Sequence, residues 1–248
     1  MKYLFLALSF WAGFAGAEQR VGLTVVELFT SQGCSSCPPA DRYLAKLKDQ
    51  QQILPLSFHV DYWNYLGWED TLSARFATAR QEAYRNASGR AYVYTPQFIV
   101  GGAHEFSLRN HDALKSHLTA LEPKQGVGMQ WVNADLHLTP IEDGLKRGHI
   151  WRLIFHDTIE TKIESGENEG RNLSHHHSVK SIEQIGVWEN QPLTISIAEP
   201  EIYGVAILIS DDRGAIHGAA DWRLRDFFQM PARMKTNPNP LSGNLMIR

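Results

Sequence analysis

The sequence predicts an α/β fold in its first half followed by a β-rich C-terminal region, and three observations carry that reading. Residues 21–30 and 53–60 are apolar, β-branched runs flanking a segment with helical spacing, the strand, helix, strand order of a right-handed crossover unit. Beyond residue 121, alternating and continuous apolar stretches replace the helical spacing. The 248 residues are 43% hydrophobic and 21% charged, which supplies a core and excludes disordered and fibrous classes. A formal charge of -3 without like-charge runs argues against nucleic acid or an anionic membrane surface as a partner.

Residues 1–17 read as a signal peptide. Lys2 gives a positive end, residues 3–14 are almost wholly apolar, and Ala15-Gly16-Ala17 is a small-residue cleavage signature. The apolar stretch is shorter than the roughly 20 residues of a spanning helix. The expected mature chain starts at Glu18, is periplasmic or secreted, and has no membrane contact after cleavage.

The first predicted strand, residues 21–30, carries one acid, Glu27, in an otherwise apolar run, and such a carboxylate is costly to bury unless paired. Next come the only two cysteines, as Cys34-Ser35-Ser36-Cys37. A bridge across so short a loop removes little unfolded-state entropy, so reactivity, metal binding or a local clamp explains the pair better than stability. Pro38 and Pro39 open a segment in which Ala40, Leu44 and Leu47 share one helical face. The cysteines thus sit in a strand-to-helix turn, where a thiolate at Cys34 meets backbone N–H groups and the positive helix end. The two prolines place the helix start near Cys37 and weaken that effect, because neither offers an N–H. Ser35 and Ser36 read equally as thiolate hydrogen-bond donors or as ordinary turn residues.

After the second strand comes the stretch 61–90. It opens with Tyr62, Trp63, Tyr65 and Trp68, then predicts a helix over 71–86 with Leu72, Phe76, Ala79 and Ala83 on one face. The aromatics suit either packing of that helix onto the sheet or an apolar platform beside the cysteines. His59, at the end of the second strand, suits a core or rim position. Tyr94-Thr95-Pro96 leads directly into a strand ending at Gly101-Gly102, and Leu114, Leu118 and Leu121 then mark a further helix.

The buried strand, the CxxC at a helix start, the distant Thr-Pro before a strand and the last helix together resemble the thioredoxin-like superfamily over residues 21–122. That resemblance implies a nucleophilic Cys34, a more buried resolving Cys37, and Pro96 as a cis-proline facing the pair. It also implies that Thr95 offers backbone groups to an extended substrate and that Glu27 is a buried acid relaying protons to Cys37. The Ser-Ser dipeptide between the cysteines matches neither Gly-Pro nor Pro-His, and Gly33 stands where a Trp often precedes the first cysteine, which leaves the redox direction open. The runs 29–41, 59–70 and 95–101 resemble a narrower family, the secreted thioredoxin-like bacterial proteins of domain of unknown function 1223. The expected layout is then a thioredoxin-like domain over 18–124 with its insertion at about 61–90, a β-rich region over 125–235 and a tail over 236–248.

In the β-rich part, residues 129–138, 151–155, 193–197 and 205–209 read as strands, with a hairpin turn at Asp212-Arg213-Gly214-Ala215. The expected packing is a small sandwich or an appendage on the first domain. Three adjacent imidazoles, His175, His176 and His177, ask for a metal together with His149, His156 or the thiols. On a strand, however, only His175 and His177 share a face, and a solvated edge is the plainer expectation. The reading reached is a thiol-disulfide oxidoreductase acting on protein thiols or disulfides, with no cofactor and no metal among its site residues. Its alternatives are a copper-handling protein and a binding module with a structural disulfide.

Overall fold

The computed structural model describes residues 17–120, 126–197, 204–224 and 246–247. Most of the expected signal peptide and of the 236–248 tail lies outside them. Strands β1 (Ala17–Val21) and β2 (Thr24–Thr30) are separated at Gly22, whose φ of 68° turns the chain. Helix α1 (Pro38–Leu47) starts at the N-cap Cys37 with prolines in its first two positions. It buries Ala40, Leu44 and Leu47, the face expected from their spacing, against Val26, Leu28 and Phe98. Each leucine so buried stabilises the fold by about 1.5–3 kcal/mol. Strand β3 (Ile53–His59) is buried along its length and lies parallel to β2.

Helix α2 (Arg75–Ser88) ends at Gly89, whose φ of 68° gives a left-handed cap. Its inward face is Ala77, Gln81 and Tyr84, whereas Ala79 and Ala83 of the expected face are exposed. Small apolar side chains did not define the stripe, because the inward polar groups find partners. Gln81 donates to Tyr94 O and to Gln97 Oε1, at 2.7 and 2.8 Å. Strands β4 (Gln97–Val100) and β5 (His104–Ser107) form a hairpin on the other edge of β2, and α3 (His111–Ala120) packs Leu114 beside α1.

The remaining strands are β6 (Gly128–Val132), β7 (Asp135–Thr139), β8 (Gly148–Lys162), β9 (Asn172–Trp188), β10 (Leu193–Ser196), β11 (Gly204–Ser210), β12 (Ile216–Leu224) and β13 (Met246–Ile247). They correct the expected fold class. The protein is not a thioredoxin-like α/β domain followed by a β-rich region but a mostly β molecule. One mixed nine-stranded sheet, in the order β1-β12-β11-β8-β9-β3-β2-β4-β5, takes strands from both sides of residue 124. A four-stranded sheet, β13-β10-β7-β6, accompanies it. The local strand, helix, strand unit is real, but β3 meets β9 in parallel at Ser57 and Ser178, which continues the sheet into the second half.

Strand β11 shows how the layers pack. Val205, Ile207 and Ile209 join a core with Leu136, Leu138 and Ile195 of the small sheet, while Ala206 and Leu208 join the core holding Leu54, Leu56 and Phe58. Its burial on both faces explains a continuous apolar run. The hairpin from β11 to β12 turns over residues 211–215, where it was expected. Among the described residues, no helix is long and apolar enough to cross a membrane.

Candidate functional site

Cys34 and Cys37 form a disulfide with Cα atoms 5.4 Å apart. Cys34 is 5% exposed and Cys37 is fully buried, while Ser35 and Ser36 between them face solvent. The geometry of the turn answers the question of thiolate stabilisation. Pro38 and Pro39 have no N–H, and the N–H groups of Ala40 and Asp41 both donate to Cys37 O, so the helix start holds no spare donor. Instead the Ser36 hydroxyl lies 3.4 Å from Cys34 Sγ, close enough to donate to a thiolate.

Two segments hold this turn, the β8–β9 hairpin and residues 63–68. Asn168, buried at the tip of the β8–β9 hairpin, donates through Nδ2 to Gln32 O and to Cys34 O at 2.8 and 3.0 Å, and Arg171 fixes its Oδ1. Gln32 itself accepts from Trp68 Nε1 through Oε1 and donates to Thr161 through Nε2. Trp63 lies against Gly33, where an added Cβ would meet the Trp63 carbonyl oxygen at 3.2 Å. From there the Trp63 ring donates to Thr95 Oγ1 at 2.8 Å. The Thr95–Pro96 peptide is cis and Pro96 is buried at the head of β4. Trp63 thus bridges Gly33, the neighbour of Cys34, and Thr95, the neighbour of Pro96. Trp63 stacks on Tyr65, which is 76% exposed, so the aromatic run both packs and presents a face.

Below the cysteines, between α1 and the sheet, lies a buried polar cluster. Thr30 donates to Asp41 Oδ1 at 2.9 Å. His59 Nδ1 lies 2.7 Å from Asp70 Oδ2, and because an ionised carboxylate carries no proton the imidazole is the donor. Asp70 also accepts from the backbone N–H groups of Gln32 and Leu72. The His59 and His175 rings meet edge to face with centroids 4.6 Å apart, and His175 Nδ1 stands 3.9 Å from Asp41 Oδ1. His59 Nε2 and both ring nitrogens of His175 are buried without a hydrogen-bond partner. Burial opposes charging at His59, but the Asp70 carboxylate, assisted by Asp41, outweighs it and holds the imidazole above its ordinary range. Burial likewise opposes charge on Asp70, yet His59 and the two backbone donors hold that carboxyl below its ordinary range.

Glu27 does not belong to this cluster. Residues alternate sides along β2, so Val25, Glu27 and Phe29 face α2, while Val26 and Leu28 face α1. There Glu27 Oε1 accepts from Arg80 Nε at 2.6 Å, and its Oε2 accepts from the Tyr84 hydroxyl. The acid one turn below Cys37 is Asp41. Asp41, Asp70 and Asn168 are the residues that sequence reasoning passed over; an acid within the apolar stripe of α1 is the one local signal that pointed to any of them.

The histidine triplet is not a solvated edge. His175 and His177 are buried on β9; His177 Nδ1 donates to Pro55 O at 2.8 Å, and its Nε2 lies 3.5 Å from Asp157, which pairs with Lys48. Among the described residues, no three His, Cys, Asp or Glu side chains are grouped so as to hold a metal ion.

The fold and this site can be set against known proteins. A crystal structure of a protein from Agrobacterium tumefaciens matches at 30% identity, covering 84% of this chain and 96% of that one with a TM-score of 0.60. HBP35 of Porphyromonas gingivalis matches at 14% identity over 91% of this chain and 84% of its own, with a TM-score of 0.53, which is a likeness of fold alone. No curated protein matches significantly. The model of the family described as "Protein of unknown function (DUF1223)" matches residues 25–209, a span that takes in the cysteine pair, the cis-proline and the buried histidine cluster, and the chain belongs to that family.

Proposed function

We propose that the protein is a thiol-disulfide oxidoreductase of the cell envelope acting on polypeptide thiols or disulfides. The observation that carries this reading is the unequal environment of the two sulfurs. Cys34 keeps 5% of its surface open beside a hydroxyl donor, with the exposed Ser35 and Ser36 on one side, and Cys37 is fully buried. In the reducing direction Cys34 thiolate attacks a substrate disulfide and forms a mixed disulfide. Cys37 then attacks Cys34 Sγ, closes the Cys34–Cys37 bond and releases the substrate thiol. Thr95, which Trp63 ties to the Gly33 side of the turn, and Pro96 after it offer the backbone edge along which an extended substrate would lie. The envelope location rests on the leader-like residues 1–17 and on the compartment in which exchangeable disulfides persist.

The test is transfer of electrons from the reduced chain to a disulfide-bearing peptide, followed by alkylation. Cys34→Ser is expected to abolish transfer and Cys37→Ser to accumulate a mixed disulfide. A peptide that stays oxidised with the unmodified chain sinks the reading. A second reading, a structural clip in a binding module, is favoured by the 5% exposure of Cys34 and by the Asn168 clamp on its carbonyl. It predicts the same failure of transfer.

A further inference from the structure

The α1 face of the sheet holds more proton-binding capacity than its hydrogen bonds use. Three buried ring nitrogens, His59 Nε2 and both of His175, have no partner, although buried polar atoms are nearly always satisfied. These rings do not stand alone. His175 faces Asp41, and His59 faces Asp70, so two imidazoles and two carboxylates share one enclosed space. Asp41 is the member next to the cysteines. Its N–H donates to Cys37 O, the i to i+4 relation of a helix, and Cys37 has right-handed helical angles. Side chains at i and i+4 lie on one helix face about 5–6 Å apart at Cβ, and helical side chains lean towards the N-terminus, here towards Cys37.

We propose that Asp41 is the proton acceptor for the Cys37 thiol, and that His175 and the His59–Asp70 pair behind it share and hold that proton. This rests on the oxidoreductase reading and adds the missing step to it. In the mixed disulfide between Cys34 and a substrate, the Cys37 S–H bond breaks and its proton passes to the Asp41 carboxylate. The Cys37 sulfur bonds to Cys34 Sγ, the bond from Cys34 to the substrate sulfur breaks, and the substrate leaves as a thiolate. In the opposite direction the same groups return the proton. No other oxidant or reductant enters.

The arrangement suits the task. Thr30 holds Oδ1 of Asp41. The titratable groups facing it are Cys37 from α1, His59 from β3, His175 from β9 and Asp70 from the segment after β3; further along the same face lie His177, Asp157 and Lys48. The Asp70 carboxylate, seconded by Asp41, raises the affinity of His59 for a proton, so the enclosed imidazole is a place where one can rest. His175 arrives from a strand more than a hundred residues beyond β3, so the second half of the chain completes the site.

The reduced chain is mixed with dithiobis(nitrobenzoate), and release of thionitrobenzoate is followed in two phases, attack by Cys34 and then resolution by Cys37. Asp41→Asn is expected to leave the first phase unchanged and to slow the second about 10²-fold near neutral pH. The gap should close as pH rises past the ordinary thiol range of about 8.5, where Cys37 ionises unaided, and Asp41→Glu should recover part of the rate. A second phase unaltered at every pH, or slowed equally at every pH, overturns the proposal. If the variants do not fold, imidazole nitrogen NMR of the unmodified chain decides. Titration midpoints of His59 and His175 that differ between oxidised and reduced forms support the relay, and identical midpoints overturn it. Should the reduced chain fail to pass electrons to a peptide disulfide at all, the oxidoreductase reading falls and this step with it; should it do so with Asp41→Asn indistinguishable from the unmodified chain, only this step falls.

Discussion

The two faces of the sheet at β2 and β3 each bury an ionic cluster, and the clusters differ in what they leave unused. On the α2 face Glu27, Arg80 and Tyr84 saturate one another. Both Glu27 oxygens accept, Arg80 also donates to Tyr84, its guanidinium lies over the Phe58 and Tyr84 rings, and no buried polar atom of the three lacks a partner. On the α1 face His59 and His175 keep three unpartnered nitrogens beneath a disulfide. A saturated cluster fixes a fold, whereas an unsaturated one beneath a disulfide has nitrogens free to take up and give back a proton.

The largest expected effect comes from breaking the saturated side. Arg80→Met leaves the Glu27 carboxylate buried without its cation, and urea denaturation should show a loss of about 3–5 kcal/mol. The kinetics of the cysteine pair should stay as they were in the molecules that remain folded. Altered resolution kinetics in this variant would erase the distinction between the faces.

Asn168→Ala comes next. It strips a donor from two carbonyls flanking Cys34, a change expected to lower stability by about 1–3 kcal/mol. Alkylation of the reduced pair should also become faster at Cys34 as the turn loosens, which mass spectrometry would locate. Unchanged alkylation would mean that the β8–β9 hairpin tip covers the turn without holding it.

The unsaturated face should carry a pH signature. His59 is held above its ordinary 6.5, so its contribution is complete below that value and is lost as pH rises through its folded midpoint. Asp70 is held below its ordinary 3.8, so its contribution is present above that value and is lost as pH falls through its own folded midpoint. The stability gap between the unmodified chain and His59→Asn should therefore be widest between these limits and narrow on the alkaline side. A gap that is flat from acid to alkaline pH would show that the imidazolium adds nothing to the fold. The smallest effect belongs to Ser36→Ala, which removes the hydroxyl beside Cys34 Sγ and should raise the Cys34 thiol midpoint slightly in an alkylation titration.

How far the sequence could be read follows the same division between local and distant causes. Strands β2 and β3, the α1 stripe of Ala40, Leu44 and Leu47, the helix start at Cys37 and the β11–β12 hairpin all follow from spacing within a few residues. The cis Thr95–Pro96 bond was implied by resemblance and stands in the structure. The inward face of α2 was not legible, because Gln81 and Tyr84 turn inward only when Tyr94, Gln97 and Glu27 are there to meet them. The side taken by Glu27, towards Arg80 and Tyr84, was not legible either, since an acid in an apolar run reveals burial but not side. Asn168 reaches the Cys34 carbonyl and His175 reaches Asp41 and His59 from the far half of the chain, and no local pattern announces a strand that joins β3 across such a separation. The same long-range pairing turned an expected α/β domain into a nine-stranded mixed sheet.

The most direct test of the account is the reduction potential of the Cys34–Cys37 pair in the full chain, read by thiol alkylation across glutathione buffers. A working redox pair is expected between roughly -270 and -120 mV, with exchange fast enough to equilibrate. A pair that stays oxidised well below roughly -300 mV is a structural clip, and that result would contradict the central claim.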